Sequence, residues 1–131
     1  MTMYVPKLEK DIRNPLEAGL ASFEGKWKTR VICALTQTPN LRYSALKSAM
    51  GNITDAVLTT TLKELTADQI INRIQYNEIP LRVEYNLTKK GRAAIPMLSA
   101  ICQWTQTFNP EWGQVKCGCG TANCLFDLKN H

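Results

Sequence analysis

Residues 70–87 read Ile-Ile-Asn-Arg-Ile-Gln-Tyr-Asn-Glu-Ile-Pro-Leu-Arg-Val-Glu-Tyr-Asn-Leu. In this stretch the apolar pattern changes from a helical to an alternating period. Val83, Tyr85 and Leu87 alternate with Arg82, Glu84 and Asn86, as the two faces of a half-buried strand require. Ile70 to Asn77 is a second β-rich run. The segment Glu78-Ile79-Pro80-Leu81 between them is too short for anything but a hairpin loop.

Upstream the period is helical. Thr54 caps a segment running to about Ala67, whose buried face is marked by Leu58, Thr61, Leu62 and Leu65. Tyr43 to Met50 is a short helix carrying Leu46, closed by Gly51-Asn52. Lys26 to Thr36 is a helix with Trp27, Val31, Ile32 and Leu35 as its apolar stripe, ended by Thr38-Pro39-Asn40. Pro15 to Glu24 is a shorter one, with Asn14 as N-cap ahead of a proline at the first helical position. Downstream, Thr88 caps one long helix from Lys89 to about Phe108. Ile95, Leu98, Ile101, Cys102 and Trp104 form its apolar side, and Pro96 inside it is a site for a kink. From Asn109 the chain is rich in Gly, Cys and Asn without a period and reads as a loosely ordered tail. The expected division is therefore a domain over 1–108 and a Cys-rich tail over 109–131. The fold class is mainly α with a small β-hairpin. Helices followed by a two-stranded hairpin are the layout of a winged helix-turn-helix, with further helices added at both ends. In that layout the second helix of the core pair enters the major groove of DNA and the hairpin is the wing.

Composition agrees with a globular chain: 131 residues, 44% hydrophobic and 21% charged. No apolar run approaches the roughly 18 residues of a membrane span. Lys7, Glu9, Lys10, Asp11 and Arg13 exclude a secretory core from the first residues, so a cytoplasmic protein is expected. The single His, His131, argues against His-based acid–base chemistry, and no Walker A or GxGxxG run is present. These features point away from an enzyme and imply no cofactor. The net charge is +5, from 16 Lys+Arg against 11 Asp+Glu. The excess lies in the body of the chain, which suits a polyanionic partner.

Several strings resemble the HxlR-type winged helix-turn-helix transcriptional regulators, relatives of the MarR group. Gly25-Lys26-Trp27-Lys28 is similar to that family's GKW motif. Leu41-Arg42-Tyr43-Ser44-Ala45-Leu46 resembles its RF-x-E-L segment, and Ile53-Thr54 with Leu58 and Leu62-Lys63-Glu64-Leu65 its IS-x-x-x-L-x-x-x-L-K-E-L run. Ile79 to Gly91 closely follows VPPRVEYSLTxxG. The resemblance implies a homodimeric cytoplasmic regulator of duplex operator DNA without enzymatic activity. We read it as a repressor whose first and last helices, with more apolar surface than a small core needs, are buried against the partner copy; the alternative is a winged helix used for protein–protein contact. A small-molecule or redox effector is compatible with it. Its departures are informative. Ala56 stands where a basic residue is usual, Gln69 where glycine precedes the first wing strand, and Asn14 where many members carry a redox-sensing cysteine.

The resemblance and the apolar periodicity together nominate a DNA-binding set. Lys26, Lys28, Arg42, Tyr43, Ser44 and Arg82 are expected at phosphates. Thr54, Asp55, Thr59, Thr60 and Lys63 are expected on the groove-facing side of the recognition helix. Each has a plainer alternative as surface chemistry, and at the wing that alternative is Glu84 pairing with Arg82 or with Arg73. Trp27, Tyr76 and Tyr85 read as packing residues, and Cys33 as a small buried hydrophobe. Cys102 falls on the expected dimer helix. Cys117, Cys119 and Cys124 admit three readings: inert thiols, oxidant sensors together with Cys102, or a zinc site with His131. The C-x-C-x4-C spacing departs from the usual C-x2-C pairs of zinc sites.

Overall fold

The computed structural model describes residues 12–114. Cys117, Cys119, Cys124 and His131 lie outside the described residues. The elements run α1 (Pro15–Ala21), α2 (Lys28–Gln37), β1 (Leu41–Arg42), α3 (Tyr43–Met50), α4 (Asp55–Ala67), β2 (Ile71–Tyr76), β3 (Arg82–Leu87), α5 (Lys89–Ala93) and α6 (Ile95–Phe108).

Side-chain caps set the helix starts where the sequence places them. Asn14 accepts from the Glu17 amide at 2.9 Å, and the Glu17 carboxylate reaches back to the Arg13 amide at 2.6 Å. Thr54 accepts from the Val57 amide at 3.2 Å, and Thr88 from the Gly91 amide at 2.9 Å. Trp27 takes the cap position of α2 without a side-chain cap bond, so that helix begins later than its apolar stripe suggests.

Three departures concern where elements begin and end. Leu41–Arg42 forms a strand that completes an antiparallel sheet in the order β1-β3-β2. Two residues carry no readable period, and this strand exists because Leu41 and Arg42 fall in register with Tyr85 and Glu84. The expected long last helix is two helices broken at Ala94. Pro96 has no amide proton and settles into the first turn of α6 instead of kinking a continuous helix. Beyond α6, Pro110–Gln114 forms a 3-10 turn against it, so the first residues after Asn109 are not irregular.

The core gathers Val31 to Leu35 of α2, Leu46 and Met50 of α3, Leu58, Leu62 and Leu65 of α4, and Ile70, Ile71, Tyr85 and Leu87 of the sheet. Five successive buried residues, Val31 to Leu35, bury the middle of α2 on every side, between polar ends. Trp27 packs on this core from the edge, and Cys33 is fully buried.

The junction from α4 to β2 is tightly built. The Ile70 amide donates to Leu65 at 2.9 Å and the Gln69 amide to Thr66 at 3.0 Å, which closes the helix with the left-handed residue Gln69 at φ 62. A glycine at this position would adopt that conformation without strain. At Gly91 the requirement for glycine is steric, because a Cβ there would fall on the Ile70 carbonyl oxygen. That approach lets α5 seat directly on the α4–β2 turn. Thr88 bonds the same turn, donating its hydroxyl to Gln69 at 2.6 Å.

Candidate nucleic-acid interface

With Leu58, Thr61, Leu62 and Leu65 buried, the helical period turns Ala56, Thr59, Thr60, Lys63 and Ala67 outward, and all five are exposed. This face is polar along its middle and small at both ends. Threonine hydroxyls and threonine or alanine methyls match base edges and thymine methyls. Thr61 and Thr66 bond the α4 backbone instead, donating to Val57 at 2.8 Å and Leu62 at 2.7 Å. Thr54 is occupied as the cap.

Tyr43 and Asp55 are tied to each other. The Tyr43 hydroxyl donates to the Asp55 carboxylate at 2.7 Å, and Lys47 sits 3.0 Å from the same oxygen. The Tyr43 bond, then the Lys47 bond and charge, hold the Asp55 carboxyl below its ordinary range. Asp55 is therefore a neutralised brace between α3 and α4 and not a bare negative charge at the groove. Lys47 was missed by sequence reasoning, though its i,i+4 spacing from Tyr43 places both over one point.

Two expected phosphate contacts are engaged inside the protein. The Lys28 side chain is only 13% exposed, with its ammonium 3.4 Å from Glu64 on the flank of α4. Arg82 donates to Glu78 at 2.7 Å and to Glu84 at 2.8 Å, and its guanidinium lies 3.8 Å over the Tyr76 ring. The Glu78 bond, opposed by desolvation and joined by the Glu84 bond, raises the Arg82 pKa further above its already high value. The pairing alternative read for Arg82 and Glu84 is the one the structure adopts. The wing tip beyond this clamp is apolar, with Ile79 and Leu81 exposed.

Other basic groups remain at the surface. Lys26 and Arg30 flank the Trp27 ring at 4.9 Å and 4.8 Å from its centroid, so Trp27 holds two cations while packing on the core. Arg42 and Ser44 are exposed at the start of α3. Arg73 of β2, read from the sequence only as an alternative partner of Glu84, bonds Gln75 instead and lines a groove beside Lys63. Its place follows from strand alternation, which puts it on the side of buried Ile71.

Among the described residues, no group of three or more His, Cys, Asp and Glu could hold a metal ion, and no helix is long and apolar enough to cross a membrane. Cys102 packs against the core beside Leu98 and Ile95, while Met97, Ile101, Trp104 and Phe108 form a separate exposed stripe. The single apolar side expected for this helix is thus two sides.

A recognition helix over an antiparallel hairpin, reached through a short preceding helix, defines a winged helix-turn-helix. The model of the HxlR-like helix-turn-helix family matches residues 22–112, and the chain belongs to that family of transcriptional regulators. An uncharacterized HTH-type transcriptional regulator of Methanothermobacter thermautotrophicus is 42% identical over 93 residues, covering 71% of this chain and 70% of that protein. YtcD of Bacillus subtilis, also an uncharacterized HTH-type regulator, is 46% identical over 89 residues, covering 68% of this chain and 70% of YtcD. A solved structure of ytcD matches with TM-score 0.68 at 41% identity, over 73% of this chain and 97% of the other. The redox regulator HypR in its oxidized form matches with TM-score 0.64 at 32% identity, over 72% of this chain and 96% of the other.

Proposed function

We propose that this regulator acts in the cytoplasm as a homodimeric repressor, without catalysis, and reads operator DNA through Thr59, Thr60 and Ala56 on the outward face of α4. The observation that carries this reading is that face itself: small, polar and exposed, on a helix anchored from behind by fully buried Leu58 and Leu65. In this reading the exposed residues Lys26, Arg42 and Ser44 hold phosphates, as residues at helix starts do in this fold. Lys28, Arg82, Tyr43, Asp55 and Thr54 act as braces, because their polar groups already have partners inside the chain.

The dimer reading draws on the exposed apolar residues Leu16 and Leu20 of α1 and Met97, Ile101, Trp104 and Phe108 of α6. Burying them against a second copy would set two recognition helices about 34–36 Å apart, one turn of DNA. Selection of bound duplexes from a random pool tests the whole reading. The expected product is a palindrome with half-sites one turn apart, and a pool that stays random would contradict it.

A second reading, thiol-responsive regulation, draws on the likeness to HypR and on half-buried Cys102 in α6. Duplex affinity that falls under mild oxidant, is restored by thiol and is indifferent to oxidant in Cys102→Ser would support it.

A further inference from the structure

We infer that Arg73 and Lys63 grip a phosphodiester group of the duplex in the groove between α4 and β2. Arg73, not Arg82, is then the cation through which the wing side of the protein holds DNA. The inference rests on the DNA-binding reading above and names the part of the surface that reading leaves without a phosphate contact.

The groove is open and about 500 Å³ in volume. Tyr43 closes one end. Thr59, Lys63 and Thr66 supply the α4 wall, and Arg73 and Tyr85 supply the sheet wall. None of the described residues lining it is a carboxylate. Asp55, at the far side of Tyr43, is already neutralised by Lys47. Arg73 stands opposite Tyr85 in the β2–β3 register, so it shares the α4 side of the sheet, while Glu84 pairs with Ile74 on the other side. Its guanidinium donates to the neutral Gln75 carboxamide at 3.2 Å, which orients it and leaves its charge uncompensated.

Charge and position together favour a strand of duplex. When the exposed face of α4 sits in a major groove and the wing approaches the neighbouring minor groove, the backbone between the two grooves passes over the space between α4 and the wing strands. Two cations facing that space are complementary to it. A second groove of about 500 Å³ shares Thr66 and Arg73 and carries Lys89 and Lys90, which extends the basic track along the strand.

The test is a salt titration of duplex binding by the full chain, on a selected operator and on random duplex, for wild type, Arg73→Gln, Arg73→Lys, Lys63→Gln and Arg82→Gln. Arg73→Gln and Lys63→Gln each should weaken binding to both duplexes about 10-fold and reduce the slope of log K against log salt by about 1, with unchanged melting temperature. Arg73→Lys should recover most of the slope, and Arg82→Gln should leave it unchanged. A wild-type slope in Arg73→Gln overturns the inference while leaving DNA binding intact. A wild type that shows no salt-dependent duplex binding overturns the DNA reading itself. Calorimetry with inorganic phosphate alone separates the remaining source of the same chemistry. Saturable binding that Arg73→Gln abolishes would assign the groove to a free anion and overturn the duplex assignment, and its absence supports the strand.

Discussion

The wing tip and the α4–β2 groove each carry basic residues, and they differ in what surrounds them. At the tip, Arg82 is held between Glu78 and Glu84 and covers Tyr76. In the groove, Lys63 and Arg73 face an opening that no carboxylate lines among the described residues. One cation stiffens a hairpin and the other two are available to a polyanion. A count of Lys and Arg does not locate a DNA surface. The acidic residues that reach the same point in space decide which charges an approaching phosphate meets, since a paired cation must be released from its partner first.

The groove and the outward face of α4 both depend on that helix being seated. Leu58 is 0% exposed. Leu58→Ala should lower unfolding free energy by about 3 kcal/mol in chemical denaturation, unseating the outward face and the groove wall together. A loss below about 1 kcal/mol would mean that α4 is held by something other than its leucines.

The contrast itself can be inverted. Removing both wing carboxylates, as Glu78→Gln with Glu84→Gln, releases Arg82 from its two partners and deletes two negative charges from the wing. Duplex affinity should rise about 10-fold and the salt slope should steepen by about 1. If affinity is unchanged in a fluorescence titration, the tip lies too far from the duplex for its charges to matter.

Smaller effects separate turn strain from charge. Gln69 holds a left-handed conformation in the turn from α4 to β2, so Gln69→Gly should stabilise the fold by about 0.5–1 kcal/mol without changing the salt slope. Denaturant midpoints would report it. The smallest effect is in pH. Asp55 has its carboxyl held low by Tyr43 and Lys47, so its contribution is present above the ordinary carboxylate range, near pH 4, and is lost as pH falls through its lowered value. Wild type should therefore lose an increment of stability in acid that Asp55→Asn does not lose, read from denaturation midpoints stepped below pH 5.

Much of this architecture is legible in the residues because it depends on neighbours close in the chain. Leucines at helical spacing give α4 its buried side, alternation in Val83, Tyr85 and Leu87 gives β3, and Asn14, Thr54 and Thr88 cap helices by reaching only a few residues onward. The GKW-like string and the Ile79 to Gly91 run carry the family. What stays hidden depends on three-dimensional proximity. Lys28 meets Glu64 only because α2 lies beside the flank of α4. Leu41 and Arg42 become a strand only because β3 offers its edge. Arg73 looks like an ordinary strand cation until α4 is placed beside it. The Glu78–Arg82 clamp is an intermediate case, since both residues flank one hairpin loop and Glu84 was already a candidate partner for Arg82.

The central claim is that the outward face of α4 contacts duplex DNA, and Thr60 stands near its middle. Thr60→Glu places a negative charge there without touching the core. The measurement is fluorescence anisotropy of a selected duplex with wild type and Thr60→Glu, alongside their melting temperatures. A loss of on the order of 100-fold in affinity at equal melting temperature is the predicted result. Binding by Thr60→Glu within about twofold of wild type would contradict the account.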